Sequence, residues 1–499
     1  MIPVDLYAHQ SAMNDECRDL MLSGKKWVLM QGATGIGKSR MAAAQIQKAY
    51  EKGKRAIFNV PRRELVYQMS EQFKRFEIPH SFVAAGYPFN PYERVHICTI
   101  GTLVNRLDDL RTPDVVFDDE IHIGGATRDV IINHFKARGC YGVGLSATPK
   151  RLDGRGLNCW YEAMAKGPQI RWLIENEFLS RFRLFGADMP DFSNMPKSGG
   201  DYQKKAMGER LRQDRVLIGN AVKHYLKHAA GKLNVTFCQD IAHSEEVNKA
   251  FKDAGVISVC VDGTTPDDER KRIFKAFARR EIMNVCSVEL ITTGFDLEAA
   301  AGMPCTVESM SDLRPTLSTP LQLQKWGRVL RKKDYPAMIF DHSGNSRPVA
   351  DGGHGMPDMI REWSLFGDDD KDTRIEKAAT PARQCQGCGL WEYPRPVCSY
   401  CGHVHPVEER EIIVKEGDLV ELTPEEIERR EREAEKARKD KRRSQGMAKT
   451  PEELIRHLID EGAKNPVWRA AKILEGRGTP ATLLTLNMIY RRIKSGVAL

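Results

Sequence analysis

Residues Gly32, Ala33, Thr34, Gly35, Ile36, Gly37, Lys38 and Ser39 form a glycine-rich run with the spacing G-x-x-x-x-G-K-S. The chemistry of such a run is phosphate binding. Glycines let backbone N–H groups crowd an anion, the lysine reaches the β- and γ-phosphates, and the serine hydroxyl can hold Mg²⁺. The expected ligands are ATP and Mg²⁺. Further on, the apolar run Val115-Val116-Phe117 ends in Asp118-Asp119-Glu120-Ile121-His122. Carboxylates at the C-terminal edge of a parallel sheet, beside a phosphate loop, stand where a magnesium nucleotide needs them. Asp119 would hold Mg²⁺, mostly through water, and Glu120 would polarise the attacking water. A third group of residues is different in kind. Cys385 and Cys388, then Cys398 and Cys401, are two C-x-x-C turns with residues 389–397 between them. Four thiolates from two such turns make a closed tetrahedral Zn²⁺ site, which is structural rather than catalytic. His403 and His405 are surplus to it.

These residues need particular elements to place them. Residues 26–31 read as a buried strand and 40–50 as a helix, so the glycine run joins strand to helix and puts phosphate at a helix N-terminus. Apolar runs at 56–60, 95–98, 115–117 and 142–145 alternate with helical stretches, and a second such block has runs at 235–238, 257–261, 284–288 and 337–340. The alternation predicts an α/β fold with two mainly parallel sheets. Composition shifts divide the chain into an ATP-binding block at 1–185, a connector at 186–215 and a second block at 216–365. A charged linker at 366–384, a zinc ribbon at 385–405, a charged helical linker at 406–447 and a helical module at 448–499 follow. In the last, Trp468 reads as a core anchor or a base-stacking residue, and Arg491, Arg492 and Lys494 as a basic helix end or a phosphate contact.

The 499-residue chain carries a net charge of +8 and 41% hydrophobic residues, which suits soluble cores and is compatible with a polyanionic partner. No apolar run approaches the roughly 18–20 residues of a membrane span, and the N-terminus lacks a signal-peptide core. Eight of the 12 cysteines are scattered singly, as small core residues are in a reducing compartment. A cytoplasmic protein with no membrane partner is expected.

Seven motifs, in order, resemble those of superfamily 2 helicases over residues 5–345. Asp119-Glu120-Ile121-His122 looks like the D-E-x-H box, and Ser146-Ala147-Thr148-Pro149 is similar to the motif that couples hydrolysis to domain movement, as His122 also does. Gln324, Arg328 and Arg331 match the Q-x-x-G-R-x-x-R motif, which places arginines against the γ-phosphate from a second domain. Gln10 falls in the adenine-reading segment. Arg62 and Arg63 fall in a strand-contacting motif, and Thr292, Thr293 and Asp296 in one that touches nucleic acid and nucleotide. Asp262-Gly263-Thr264-Thr265 with Arg270 is similar to a further second-domain motif. The resemblance implies two RecA-like domains with catalytic Lys38, Asp119, Glu120, Gln324, Arg328 and Arg331. Asp341-His342-Ser343-Gly344-Asn345 and the cysteine module resemble the RadD type of bacterial DNA-repair helicase. A short cysteine region, His9 and the Trp326-Gly327-Arg328-Val329 sequence depart from that type and imply a divergent relative, bacterial or phage-encoded. The implied partners are single-stranded or branched DNA and single-strand-binding, repair or replication proteins. An RNA helicase, a non-motor ATP-gated binding protein and the motor of a restriction-type nuclease remain alternatives.

Overall fold

Strands fed by helices that cross alternately over both faces end up buried on both sides, which explains their continuous apolar runs. The computed structural model describes residues 1–123, 125–151, 155–186, 192, 194–198, 200–212, 215–290, 297–367, 382–405, 450–460, 466–476 and 481–495. The chain divides into two compact units, Met1–Val407 and Glu408–Leu499.

In the first unit, Trp27–Gln31 (β1), Ala56–Val60 (β2), Ser81–Val83 (β3), Val95–Thr99 (β4), Val115–Asp118 (β5), Tyr141–Ser146 (β6) and Ala163–Lys166 (β7) form one sheet. Its order is β3-β4-β2-β5-β6-β1-β7, and every pairing is parallel. The glycine run leaves β1 and enters the helix Lys38–Glu51. The acidic run leaves β5, two strands away from β1 with β6 between them. Close packing at β6 depends on two glycines. Gly142 pairs with Trp27, and a Cβ there would lie 2.1 Å from the indole. A Cβ on Gly144 would lie 2.5 Å from the ring of Tyr161.

The second sheet holds Phe182–Gly186 (β8), then, after the two-residue strands Lys197–Ser198 (β9) and Asp201–Tyr202 (β10) of a separate hairpin, Asn234–Phe237 (β11), Ser258–Val261 (β12), Asn284–Ser287 (β13), Ser309–Asp312 (β14), Ala337–Asp341 (β15), Arg383–Gln384 (β16) and Leu390–Glu392 (β17). Its order is β12-β13-β11-β14-β15-β8-β17-β16. The first six run parallel, while β17 pairs antiparallel with β8 and β16 with β17. The middle of this sheet carries a buried polar ladder. Asn234 donates to Asn284 Oδ1 at 2.8 Å, Thr236 donates to the same oxygen at 2.8 Å, and Asn284 donates to Ser258 at 2.8 Å. Mutual satisfaction makes such burial tolerable.

Two expected boundaries move. The first block was expected to run to 185, but its final strand, β8, belongs to the second sheet. The chain crosses earlier, where Ser180 N–H donates to the Leu330 carbonyl at 2.9 Å and Leu179 forms a bridge with Arg331. The second block, expected to end at 365, gives up its last residues to the first domain: Leu157 N–H donates to Leu365 O at 2.7 Å, and Gln169 exchanges hydrogen bonds with the Arg361 backbone at 2.8 and 3.0 Å. The cysteine ribbon is not a bead on a linker either. Through β17 it extends the second sheet, because the free edge of β8 offers unpaired backbone groups.

The second unit is a three-helix bundle, Pro451–Asp460, Pro466–Gly476 and Leu483–Ser495, closed over Leu454, Ile455, Leu458, Ala470, Leu474 and Leu486. Thr450 and Glu453 cap its first helix reciprocally, each backbone N–H donating to the other side chain at 3.2 Å. The charged stretch expected at 406–447, most of the 366–384 linker, and the side chains of Trp468, Arg491 and Lys494 lie outside the described residues. Among the described residues no helix is long and apolar enough to cross a membrane.

Gly142→Ala should force the Trp27 indole to shift, at about 1–3 kcal/mol of stability. Thermal unfolding of the variant beside the parent protein measures this; an unchanged midpoint would show that β6 has room to spare.

Candidate active site and metal centre

The glycine run turns sharply because Gly35 and Gly37 both take φ +90°, a left-handed conformation that other residues rarely adopt. Lys38 opens the helix that follows. Its ammonium donates to the carbonyls of Gly32 at 3.0 Å and Ala33 at 3.4 Å, and burial pushes its pKa down, against the pull of Glu120 and Asp119. Thr34 and Ser39 are half-buried on the loop and first helical turn, while Ile36 is buried beneath them. Gln10 locks the loop from outside: its amide donates to Ile36 O at 2.7 Å and accepts from Tyr7 N–H at 3.0 Å. The amide expected to read adenine is therefore engaged at both ends with backbone.

At the acid edge, Asp119 is buried, and its carboxyl is pushed up to about 7, first by burial and then by the charge of Glu120. Such a group has strong reason to accept a cation. Oxygen donors of this kind suit Mg²⁺. Glu120 sits at φ +47°, a strained position for a side chain of its size. Arg128, which belongs to none of the sequence motifs, holds that turn in place. From the helix Ala126–Ala137 it donates to Asp119 O at 2.8 Å, Glu120 O at 3.3 Å, Ile123 O at 2.9 Å and Asp118 Oδ1 at 3.3 Å. Asn59 supplies Asp118 with a further bond at 3.1 Å. No spacing rule points to Arg128, since its role comes from a buried guanidinium reaching back over its own helix start.

A chain of bonds then leaves the acids. Ser146 Oγ donates to Thr148 O at 2.7 Å, so it accepts from Thr148 N–H and from His122 Nδ1, both at 3.1 Å. Burial holds the His122 pKa below its ordinary value, leaving the ring neutral with its proton on Nδ1. Its Nε2 accepts from the Gln324 amide at 3.2 Å, and the same amide nitrogen lies 3.3 Å from Glu120 Oε2. Gln324 comes from the second domain, on the helix Thr319–Val329. That helix closes on the phosphate loop so tightly that a Cβ at Gly327 would lie 2.1 Å from Thr34. Arg328, also buried, comes near enough to Lys38 to push the lysine's pKa further down. Arg331 follows the helix and pairs through its backbone with Leu179.

The structure thus brings Lys38, Asp119, Glu120, His122, Ser146, Thr148, Gln324 and Arg328 into one inter-domain cleft. Arg62 and Arg63 stand apart from it, at the start of the helix Arg63–Arg75. Thr292, Thr293 and Asp296 lie outside the described residues.

The four cysteine sulfurs lie within 4.8 Å of one another, and none is in a disulfide. Cys385 and Cys401 are 3.7 Å apart, as are Cys388 and Cys398. Zinc–sulfur bonds of about 2.3 Å in a tetrahedron need S···S edges of roughly 3.8 Å, so the donor set fits Zn²⁺. The ribbon is bolted to the second domain by Tyr400, whose hydroxyl bonds His228 Nδ1 at 2.9 Å and whose ring meets Phe185 edge-on at 5.3 Å. It also reaches the first domain: Arg171 donates to the Tyr393 hydroxyl at 2.6 Å, which donates to Asp358 at 3.1 Å.

Residues 3–151 match the family model described as type III restriction enzyme, res subunit, and residues 218–333 match the helicase conserved C-terminal domain. A 51.5 kDa protein of a Lactococcus phage (isolate 7-9) is 31% identical over 384 residues, covering 77% of this chain and 79% of that protein. The putative ATP-dependent helicase IRC3 of Saccharomyces cerevisiae is 25% identical over 362 residues, covering 68% of this chain but only 51% of the yeast protein. The chain thus spans about half the length of that relative. Among solved structures, a fragment of a putative HsdR subunit of a type I restriction enzyme from Vibrio vulnificus YJ016 shares the fold, with a TM-score of 0.53 and 17% identity over 68% of this chain and 64% of that one.

Arg128→Lys keeps the charge but not the fork that grips three carbonyls. Turnover of ATP should fall roughly 100-fold with little change in KM, the cost of a slightly misplaced catalytic group. Steady-state hydrolysis checks this, and a rise in KM alone would contradict it. Cys401→Ser should abolish retention of about one zinc per chain and lower the melting temperature, because the ribbon is part of the second sheet. Metal content and thermal unfolding report the two effects.

Proposed function

This chain belongs to the superfamily 2 helicases, ATP-hydrolysing enzymes, and from that premise we propose that it is a DNA translocase or helicase serving repair, recombination or replication. The observation that carries the reading is the contact of Gln324 with Glu120 and His122. It makes the acid edge of one domain answer to the position of the other. Lys38 and the loop N–H groups bind the β- and γ-phosphates of ATP. Ser39 and Asp119 would hold Mg²⁺, which supplies charge neutralisation at the phosphate oxygens. Glu120 orients the attacking water and receives its proton. Arg328 and Arg331 offset the charge that gathers on the γ-phosphoryl oxygens, which they can do only with the domains closed. Loss of that phosphate removes what the arginines were holding, and the His122–Gln324 link relays the change to Ser146 and Thr148. Repeated closing and opening advances a strand that Arg62, Arg63, Thr292 and Thr293 would contact.

DNA is favoured over RNA by the likeness of the 341–345 segment and the cysteine module to DNA-repair members. An ATP-gated binder without a motor is disfavoured because Lys38, Glu120, Gln324 and Arg328 are all retained in one cleft.

ATP hydrolysis measured in parallel with single-stranded, forked and duplex DNA and with RNA is the test. Stimulation by DNA is expected, strongest with single-stranded or forked forms; stimulation by RNA alone would overturn the DNA reading, and none at all would favour the gated binder. Lys38→Ala should abolish hydrolysis. Arg328→Ala should still bind nucleotide but lose on the order of 1,000-fold in turnover.

A further inference from the structure

A cavity of about 310 Å³ opens between the two motor domains, away from the nucleotide cleft. Arg63, Tyr67 and Tyr87 line it from the first domain; Thr265, Arg270 and Lys271 line it from the second. It shares no lining residue with the phosphate loop, the acid edge or the arginine helix. Small-ligand sites begin at about 300 Å³, so this one suits a single ring system rather than an extended ligand.

Its chemistry is specific. Two acids stand in the wall, Glu64 and Asp267, and the buried guanidinium of Arg270 lies 3.5 Å from each, offsetting one of the two charges; with Arg63 and Lys271 added, the lining stays net positive. The remaining cations accompany the aromatic rings. Lys271 Nζ lies 5.7 Å from the centre of the Tyr67 ring, across the domain boundary, and Arg63 is close enough to Tyr87 to hydrogen-bond its hydroxyl. Tyr67 keeps 40% of its surface exposed although it stands on an amphipathic helix that buries Leu65, Val66 and Met69. An exposed aromatic face with a cation beside it is what a base and its phosphate require: stacking on the ring, ion pairing at the backbone.

We propose that this cavity takes one unstacked nucleobase of the bound strand, stacked on Tyr67, with the flanking phosphates on Arg63 and Lys271. The proposal rests on the nucleic-acid motor reading and adds to it a reason for preferring single strands, because a paired base is already stacked within its duplex. Since the two walls belong to different domains, the grip on the base changes as the domains move.

Fluorescence anisotropy of the full chain with two labelled strands of equal length, one of thymidylates and one abasic throughout, tests it. The wild-type protein should bind the base-bearing strand more tightly. Tyr67→Ala should weaken that strand roughly tenfold, the worth of one base–aromatic stack, while leaving the abasic strand unchanged; Tyr67→Phe should restore it. Equal weakening of both strands, or of neither, would overturn the pocket while leaving the motor reading standing. Failure of the wild-type protein to bind any strand of DNA or RNA would sink the motor reading and the pocket with it.

Discussion

Three consecutive carboxylates, Asp118, Asp119 and Glu120, are gathered at the edge of a sheet, the first two fully buried. Charge taken out of water is tolerated only when it is paired and hydrogen-bonded. Much of the surrounding structure follows from that constraint. Asn59 and Arg128 attend to Asp118, Arg128 also grips the carbonyls of the next two residues, and Lys38 brings a positive charge from the loop. Even so Asp119 remains pushed up to about 7. A site under that strain is prepared for the extra cation and the phosphates that complete it.

The second domain completes the arrangement from the other side. Gln324 approaches Glu120 with an amide rather than a charge, so it can bond the carboxylate and the neutral His122 without adding another ion to the cleft. Gly327 permits the close approach, since any side chain would strike Thr34. Glycine at this place in the arginine motif is thus a matter of contact between domains, not of backbone conformation, for it sits within a regular helix.

Much of this was legible in the sequence because it depends on local patterns. The strand–loop–helix of residues 27–51, the acids after β5, and the paired cysteines each follow from residues close together in the chain. What escaped was non-local. Arg128 acts through the tertiary path of its side chain. Strand β8 has the composition of any parallel strand, and nothing in it says which of two sheets it joins. The polar ladder of Asn234, Thr236 and Asn284 contradicts the expectation of apolar central strands, because partners on neighbouring strands far apart in sequence satisfy one another. The ribbon was recognisable as a four-thiolate donor set from spacing alone. That its strand would seal the edge of β8 depends on that edge being free, which only the assembled sheet reveals.

The Tyr393 hydroxyl, held between Arg171 and Asp358, has a mechanical meaning. The two α/β halves are joined by the crossover at Leu179 and Ser180, by the returning segment that pairs Arg361 with Gln169, and by the ribbon that carries Tyr393. Bodies joined at one point can tumble freely, whereas bodies joined at several behave as a hinge with few permitted rotations. The fasteners turn the molecule into a linkage whose travel is guided. In such a linkage the two halves come back to one closed geometry whenever they part, so that Gln324 meets Glu120 and His122 in a single register.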